Sequence, residues 1–90
     1  MPKKVIVVEI PGEYIEKLIA KVGKVLGSLK DAKLLYAKLY SDGAEVSTRK
    51  PGTRGEHRSV YIHNGDIGDK SFREILGEIF PESVDRYLSR

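Results

Sequence analysis

The dipeptide Asp42-Gly43 constrains the fold of this chain more than any other short stretch, because it decides how the preceding segment folds. Residues 30–40, KDAKLLYAKLY, space their apolar side chains in a way that suits either an amphipathic helix or a strand. Asp-Gly is a typical two-residue hairpin turn, and the residues after it alternate between apolar and polar side chains. We therefore interpret residues 32–40 as a strand, with a helix as the alternative.

The rest of the chain switches between the two-residue apolar period of strands and the three- to four-residue period of helices. Proline and glycine occur near several of these switches, as expected where an element ends. In chain order, the pattern predicts a central strand over 4–10, a helix from 13 to about 29, the two hairpin strands, a third antiparallel strand over 57–63, a helix capped by Asp69, and a short final helix after Pro81.

This β-α-β-β-β-α order predicts an α+β domain. A four-stranded, mainly antiparallel sheet with the two main helices on one face would bury each apolar stripe, and a short C-terminal helix would complete the fold. Ninety residues suffice for one such core and are too few for a second, so we expect residues 1–90 to form a single domain. The other face of the sheet would stay open.

The residues for common catalytic and metal chemistry are missing or badly spaced. The chain has no cysteine, which excludes disulfides, thiolate metal sites and thiol nucleophiles. His57 and His63 are six strand residues apart, about 20 Å, which is too far for both to bind one metal ion. No glycine-rich phosphate loop and no strand-to-helix serine elbow is present. We therefore expect no enzymatic activity, no metal, no cofactor and no small-molecule substrate.

Composition also bears on the compartment. No apolar run approaches the roughly 20 residues that cross a bilayer, and the start of the chain lacks a signal-peptide cleavage site. We expect a cytoplasmic protein without membrane contact. Gln and Trp are absent, Asn occurs once, and Lys and Glu are abundant. This bias is typical of thermophilic proteins.

Residues 47–59, STRKPGTRGEHRS, form a basic segment with Glu56 as its one acid. Arginine offers forked donors for phosphate, and Gly52 and Gly55 allow a ligand to approach the backbone closely. We expect an extended hairpin tip that reaches into structured RNA; the alternative is a solvated hairpin end whose charge serves solubility. His57 is expected to lie at the same nucleic-acid interface. The residues expected to contact phosphates are Arg49, Lys50, Arg54 and Arg58.

The open face of the predicted sheet carries tyrosines beside cations. Alternation places Tyr36, Tyr40 and Tyr61 on this face, and the cations among them are Lys38, Arg49 and His63. Flat rings next to positive charges can stack bases of single-stranded RNA. Exposed tyrosines equally mark a surface that another subunit covers.

Together these features predict a non-catalytic RNA-binding protein, an accessory component of a ribosome or another ribonucleoprotein. The alternative is a protein-interaction module, a homodimer or a subunit of a larger assembly, that uses the tyrosine-rich face or an exposed edge strand. An enzyme acting on a small anionic substrate is the third and least supported hypothesis.

Overall fold

The computed structural model describes residues 5–88, which contain four strands, two α-helices and three shorter helical segments. The regular elements are β1 (Ile6–Pro11), α1 (Gly12–Val22), β2 (Leu34–Tyr40), β3 (Gly43–Ser47), β4 (Ser59–His63) and α2 (Phe72–Ile79). The shorter segments are 3-10 turns over Lys24–Leu29 and Asn64–Asp66 and a π-helical turn over Val84–Leu88.

The four strands form one sheet in the order β1-β2-β3-β4, and each neighbouring pair is antiparallel. The prediction that residues 32–40 contain a strand is therefore confirmed. The hairpin is also present, but its two-residue turn is Ser41–Asp42, since Tyr40 pairs with Gly43. No described residue other than glycine has a positive φ, so this turn is not the type I′ turn that Asp-Gly predicts.

The first strand lies at an edge of the sheet, and the prediction of a central strand is wrong. β1 pairs with β2 alone among the described strands. Both faces of β1 carry apolar residues, but only one face is buried. Val8 and Ile10 lie under the helices, whereas Val7 is half-exposed on the other face. Lys4, where the strand was predicted to begin, lies outside the described residues.

Both α-helices differ at one end from the sequence prediction. α1 stops at Val22 because Gly23 adopts a positive φ of 85° and its N–H caps the helix at the Ile19 carbonyl. The apolar stripe continues through the 3-10 segment, so Leu29 still reaches the core. α2 is capped by Ser71, which forms a capping box with Glu74, and not by Asp69.

The core lies between one face of the sheet and the two helices, which contact that face and each other. No described helix or strand packs on the opposite face. These features establish the predicted α+β class. Among residues 5–88, neither helix has the length and apolar character needed to span a membrane. The fully buried residues from the strands are Val8, Ile10, Leu35, Ala37, Ala44, Val46 and Ile62, and those from the two helices include Ile15, Leu18, Phe72 and Leu76.

Candidate nucleic-acid interface on the open sheet face

Side chains on the open face stand in three transverse rows, because residues paired across antiparallel strands project to the same side. The first row borders the loop between β3 and β4, residues 48–58, which we call the basic loop. The third row borders the Ser41–Asp42 turn at the opposite end of the face. The first row is Glu9, Tyr36, Ser47 and Ser59; the second is Val7, Lys38, Glu45 and Tyr61; the third is Tyr40, Gly43 and His63.

The strand alternation continues into the basic loop and sorts its cations onto two sides. The Thr48 N–H donates to the Arg58 carbonyl, and the Arg58 N–H donates to Thr48 Oγ1, both at 3.0 Å. This extends the pairing of β3 and β4 by one step. Arg49 and His57 therefore lie on the open-face side, while Arg58 lies on the helix side.

Arg58 is held by residues that follow α1. Its Nη1 donates to the Ser28 carbonyl at 2.6 Å, and its Nη2 donates to Asp31 Oδ1 at 3.1 Å. Asp31 thus neutralises this guanidinium on the far side of the sheet from Tyr36. The expectation that Arg58 joins the other arginines in one phosphate-binding cluster is contradicted by this placement.

The basic loop folds over the first row of the open face. The sequence analysis predicted instead a hairpin tip that extends away from the sheet. Pro51 and Gly52 lie over a small cavity of about 90 Å³. Lys50 and Pro51 also border an adjoining cleft of about 220 Å³ beside Tyr36. We call the two together the cationic cleft. Its lining residues are Val7, Glu9, Tyr36, Lys38, Glu45, Ser47, Arg49, Lys50, Pro51, Gly52, His57 and Ser59.

Hydrogen bonds within the basic loop give it a defined shape. Arg49 Nη1 donates to the Gly55 carbonyl at 2.8 Å, and the Thr53 N–H donates to the Lys50 carbonyl at 3.2 Å. Gly52 and Gly55 have φ values of 86° and 129°, which side-chain-bearing residues rarely adopt. Arg49 has five N–H donors and uses one of them here, so its side chain keeps donors for a ligand.

The cationic cleft carries a small positive surplus. Lys38, Arg49 and Lys50 border it together with Glu9 and Glu45, a balance of 3 − 2 = +1 with His57 counted as neutral. Lys38 Nζ lies 3.7 Å from Glu45, and both groups are well exposed, so water and salt weaken this ion pair. The positive charge of the loop is increased by Arg54, which is exposed and has no ion pair within residues 5–88.

The third row and its neighbour Tyr61 form a cluster of three rings, which we call the aromatic end. The centroids of Tyr40 and Tyr61 are 6.0 Å apart with their planes 34° apart, and those of Tyr61 and His63 are 4.7 Å apart at 55°. Tyr40 is 41% exposed and Tyr61 is 38% exposed. Two large, solvent-accessible rings thus lie side by side on the open face.

Asp42 fixes one of these rings. The Tyr61 hydroxyl donates a hydrogen bond to Asp42 Oδ1, and this bond, followed by desolvation and the nearby carboxylate charge, raises the pKa of Tyr61 to about 12. Tyr61 is therefore neutral at physiological pH. The carboxylate of Asp42 is occupied by the same contact.

The structure thus groups some of the predicted site residues and separates others. Tyr36, Lys38, Arg49, Lys50 and His57 meet at the cationic cleft, whereas Tyr40 and Tyr61 lie at the aromatic end. The sequence predicted His63 on this face as a cation beside the tyrosines, and the structure packs its ring against Tyr61. Prediction of the site from the sequence left out Asp42, whose contact with Tyr61 has no local sequence signal.

No three histidine, aspartate or glutamate side chains within residues 5–88 are grouped so that they could hold a metal ion. No family model, curated protein or solved structure matches this chain. The candidate site is therefore interpreted from its own geometry.

Proposed function

We propose that this protein binds RNA through the open face of its sheet, with the cationic cleft contacting the phosphates and no catalytic step. The single observation that carries the proposal is the meeting of Tyr36 with Lys38, Arg49, Lys50 and His57 in one cleft. These residues come from one strand, β2, and from the basic loop, which β3 separates from it in sequence. The fold therefore concentrates an aromatic ring and several cations where a polyanion with planar bases can use both.

The donor set suits phosphate. Arg49 supplies a planar fork, while Lys38 and Lys50 act as point charges. Ser47 and Ser59 add hydroxyl donors at the floor of the cleft. Phosphate contacts from such groups supply most of the sequence-independent affinity of nucleic-acid-binding proteins.

The size of the cavity favours a surface contact over a buried small molecule. Pockets for small organic ligands usually enclose about 300–1,000 Å³. The cavity beside Pro51 and Gly52 measures about 90 Å³ and the adjoining cleft about 220 Å³, so each alone falls below this range and suits a phosphate group or the edge of a base. A cavity of this size on an otherwise open face supports a polymeric ligand, such as the RNA of a ribosome or another ribonucleoprotein in which the protein is an accessory component.

The salt dependence of RNA affinity tests this proposal. The test variant carries Arg49→Gln, Lys50→Gln and Arg54→Gln; the control carries Lys17→Gln, Lys21→Gln and Lys24→Gln on the exposed helix side. Both lose the same charge. Fluorescence anisotropy with a labelled RNA oligonucleotide gives the slope of log affinity against log salt.

The loop variant is expected to bind more weakly and to flatten the slope by up to about two units, since each phosphate contact on a single strand contributes about 0.7. The helix-side control is expected to keep the wild-type slope. Equal slopes in the wild type and the loop variant would contradict the proposal, as would an absence of binding at low salt.

A second candidate function is self-association through the open face. Tyr40 and Tyr61 are 41% and 38% exposed on this face, and exposed aromatic rings are common where another subunit packs. Sedimentation velocity distinguishes the two functions: a dimer would show a doubled mass that Tyr61→Leu removes and salt hardly affects. A monomer at high protein concentration would exclude this candidate.

A further inference from the structure

The aromatic end offers planar rings that the phosphate contacts proposed above do not use. Tyr40 and Tyr61 expose about two fifths of their surfaces, and His63 packs beside Tyr61 at 4.7 Å between centroids. On the third row, β3 contributes Gly43, which is buried, so the accessible surface at this end of the face belongs to the rings around it. A planar group can therefore approach these rings from the solvent.

The rings are positioned before any ligand arrives. Tyr61 is held by its hydrogen bond to Asp42 in the adjoining turn. Two carboxylates lie beside the rings: Asp42 accepts this bond, and Glu45, the cross-strand partner of Tyr61, lies 3.7 Å from Lys38 Nζ. A ring that is already oriented loses less conformational entropy on binding than a mobile one.

The aromatic end and the cationic cleft lie on the same strand at a defined spacing. Tyr36 and Tyr40 are four residues apart on β2. At about 3.3 Å per residue this is about 13 Å, the length that about four nucleotides cover at the 3.4 Å rise of a stacked strand. Lys38 lies midway on the open face and can meet a phosphate between the two ends.

We infer that the aromatic end is a base-stacking subsite built from Tyr40, Tyr61 and His63, and that the ligand is an unpaired RNA segment of about four nucleotides or more that spans both ends of the open face. This inference rests on the proposed function. Bases inside a duplex are stacked on each other and cannot reach the rings, whereas unpaired bases can stack on aromatic side chains. The loop of a structured RNA presents the same chemistry as a free single strand.

The inference is tested with unpaired hexanucleotide and dinucleotide RNAs and with a duplex, each carrying the fluorescent base 2-aminopurine. The chain lacks tryptophan, so the fluorescence of the base is read without interference from that residue. Stacking of the base on a tyrosine is expected to quench its emission. The hexanucleotide is expected to bind more tightly than the dinucleotide or the duplex.

Two substitutions at one residue separate stacking from hydrogen bonding. Tyr61→Leu removes the ring and is expected to weaken hexanucleotide binding by roughly 5- to 100-fold without changing the salt slope. Tyr61→Phe keeps the ring and is expected to retain most of the affinity and the quenching. If Tyr61→Leu does not fold, as judged by circular dichroism, Tyr40→Leu provides the same readout at the neighbouring exposed ring.

The outcomes distinguish this inference from the function on which it rests. Equal affinity for the duplex and the hexanucleotide, or unchanged affinity after removal of either ring, would overturn the base-stacking subsite. The proposed function would survive that result if the loop variant still lost affinity and salt dependence. An absence of all RNA binding at low salt would overturn both.

Discussion

The connections that follow β2 and β3 differ in the contacts that determine their conformations. The turn between β2 and β3 is two residues, Ser41–Asp42, and the basic loop between β3 and β4 is eleven residues, 48–58. The short turn is defined by the strands it joins and by Gly43. The basic loop takes its position from Arg58, which bonds to residues 27 and 30 positions away in sequence. Local chemistry thus determines the first connection, and tertiary contacts determine the second.

The same difference applies to the two ends of the open face. The aromatic end adjoins the short turn, where Asp42 holds Tyr61 in place. The cationic cleft depends on where the basic loop settles, since Lys50 and Pro51 reach Tyr36 only because the loop folds back. We therefore expect the aromatic end to be the more rigid half of the interface.

Gly43→Ala tests the short turn and has the largest expected effect. A Cβ at this position would lie 2.0 Å from the Ile62 carbonyl oxygen on β4, a backbone atom that cannot move without disturbing the sheet. Overpacking of this kind typically costs about 1–3 kcal/mol, which exceeds the backbone entropy gained by replacing glycine. Urea unfolding is expected to show a lower free energy of unfolding by about that amount.

Gly27→Ala is the matched control for this substitution. A Cβ at Gly27 would meet no atom within 4 Å, and the residue has no positive φ. Its free energy of unfolding is expected to stay within about 0.5 kcal/mol of the wild type. Equal stabilities of the two variants would show that the contact between Gly43 and β4 does not define the hairpin.

Asp42→Ala probes how the short turn holds its neighbouring ring. Removal of the carboxylate is expected to lower the pKa of Tyr61 from about 12 toward the ordinary tyrosine value of 10.0, because the hydrogen bond to Asp42 is the largest cause of the shift. Ultraviolet titration of tyrosinate measures this pKa. Tyr61→Phe identifies the transition among the five tyrosines of the chain.

The raised pKa also makes stability depend on pH in the alkaline range. The folded state binds the Tyr61 proton more tightly than the unfolded state. The contribution of protonated Tyr61 to the free energy of unfolding is therefore complete below about pH 10 and is lost between about pH 10 and pH 12. We expect Asp42→Ala to flatten this loss. An unchanged alkaline titration in Asp42→Ala would contradict the role assigned to the carboxylate.

Arg58→Gln tests the basic loop and has the smallest expected effect on global stability. The ion pair with Asp31 is exposed, and such pairs contribute about 0–1 kcal/mol. The local effect is expected to be larger: limited trypsin digestion after Arg49 or Arg54 should accelerate because the loop loses its anchor. Digestion rates are measured by mass spectrometry.

Lys70→Gln provides a comparison for Arg58→Gln, since it removes another exposed ion pair, that with Glu78, away from the basic loop. Its trypsin cleavage within the loop is expected to match the wild type. Similar acceleration in both variants would indicate general destabilisation and would remove the anchoring role of Arg58.

Much of the fold follows from sequence patterns of short range. Alternating apolar residues before and after the turn predicted the strand over 32–40. The three- to four-residue apolar period after Asp69 predicted the helix that the structure shows as α2. The same alternation in residues 57–63 groups Arg58 with Val60 and Ile62, on the side that faces the helices. The same alternation, continued from β3, places Arg49 on the opposite, open side. The sequence alone therefore assigns Arg58 and Arg49 to different faces of the sheet.

The remaining features depend on contacts that no local pattern encodes. The sequence neighbours of Arg58 do not indicate that Asp31 is its partner, and nothing in the loop composition indicates that Pro51 covers Tyr36. The edge position of β1 is also not encoded by its own sequence, because half-exposed valines on an open face resemble the residues of a central strand. These features are set by how the elements pack together.

The close approach of Gly43 to Ile62 links architecture to ligand access at one position. A side chain there would collide with the Ile62 carbonyl and lie 3.2 Å from the His63 Cα, so it would displace the strand that carries Tyr61 and His63. Selection for folding alone would therefore preserve the position of this strand and the spacing of its rings. A mutational library screened only for soluble expression should retain glycine at this position, while Tyr40 and His63 would drift unless their rings are needed.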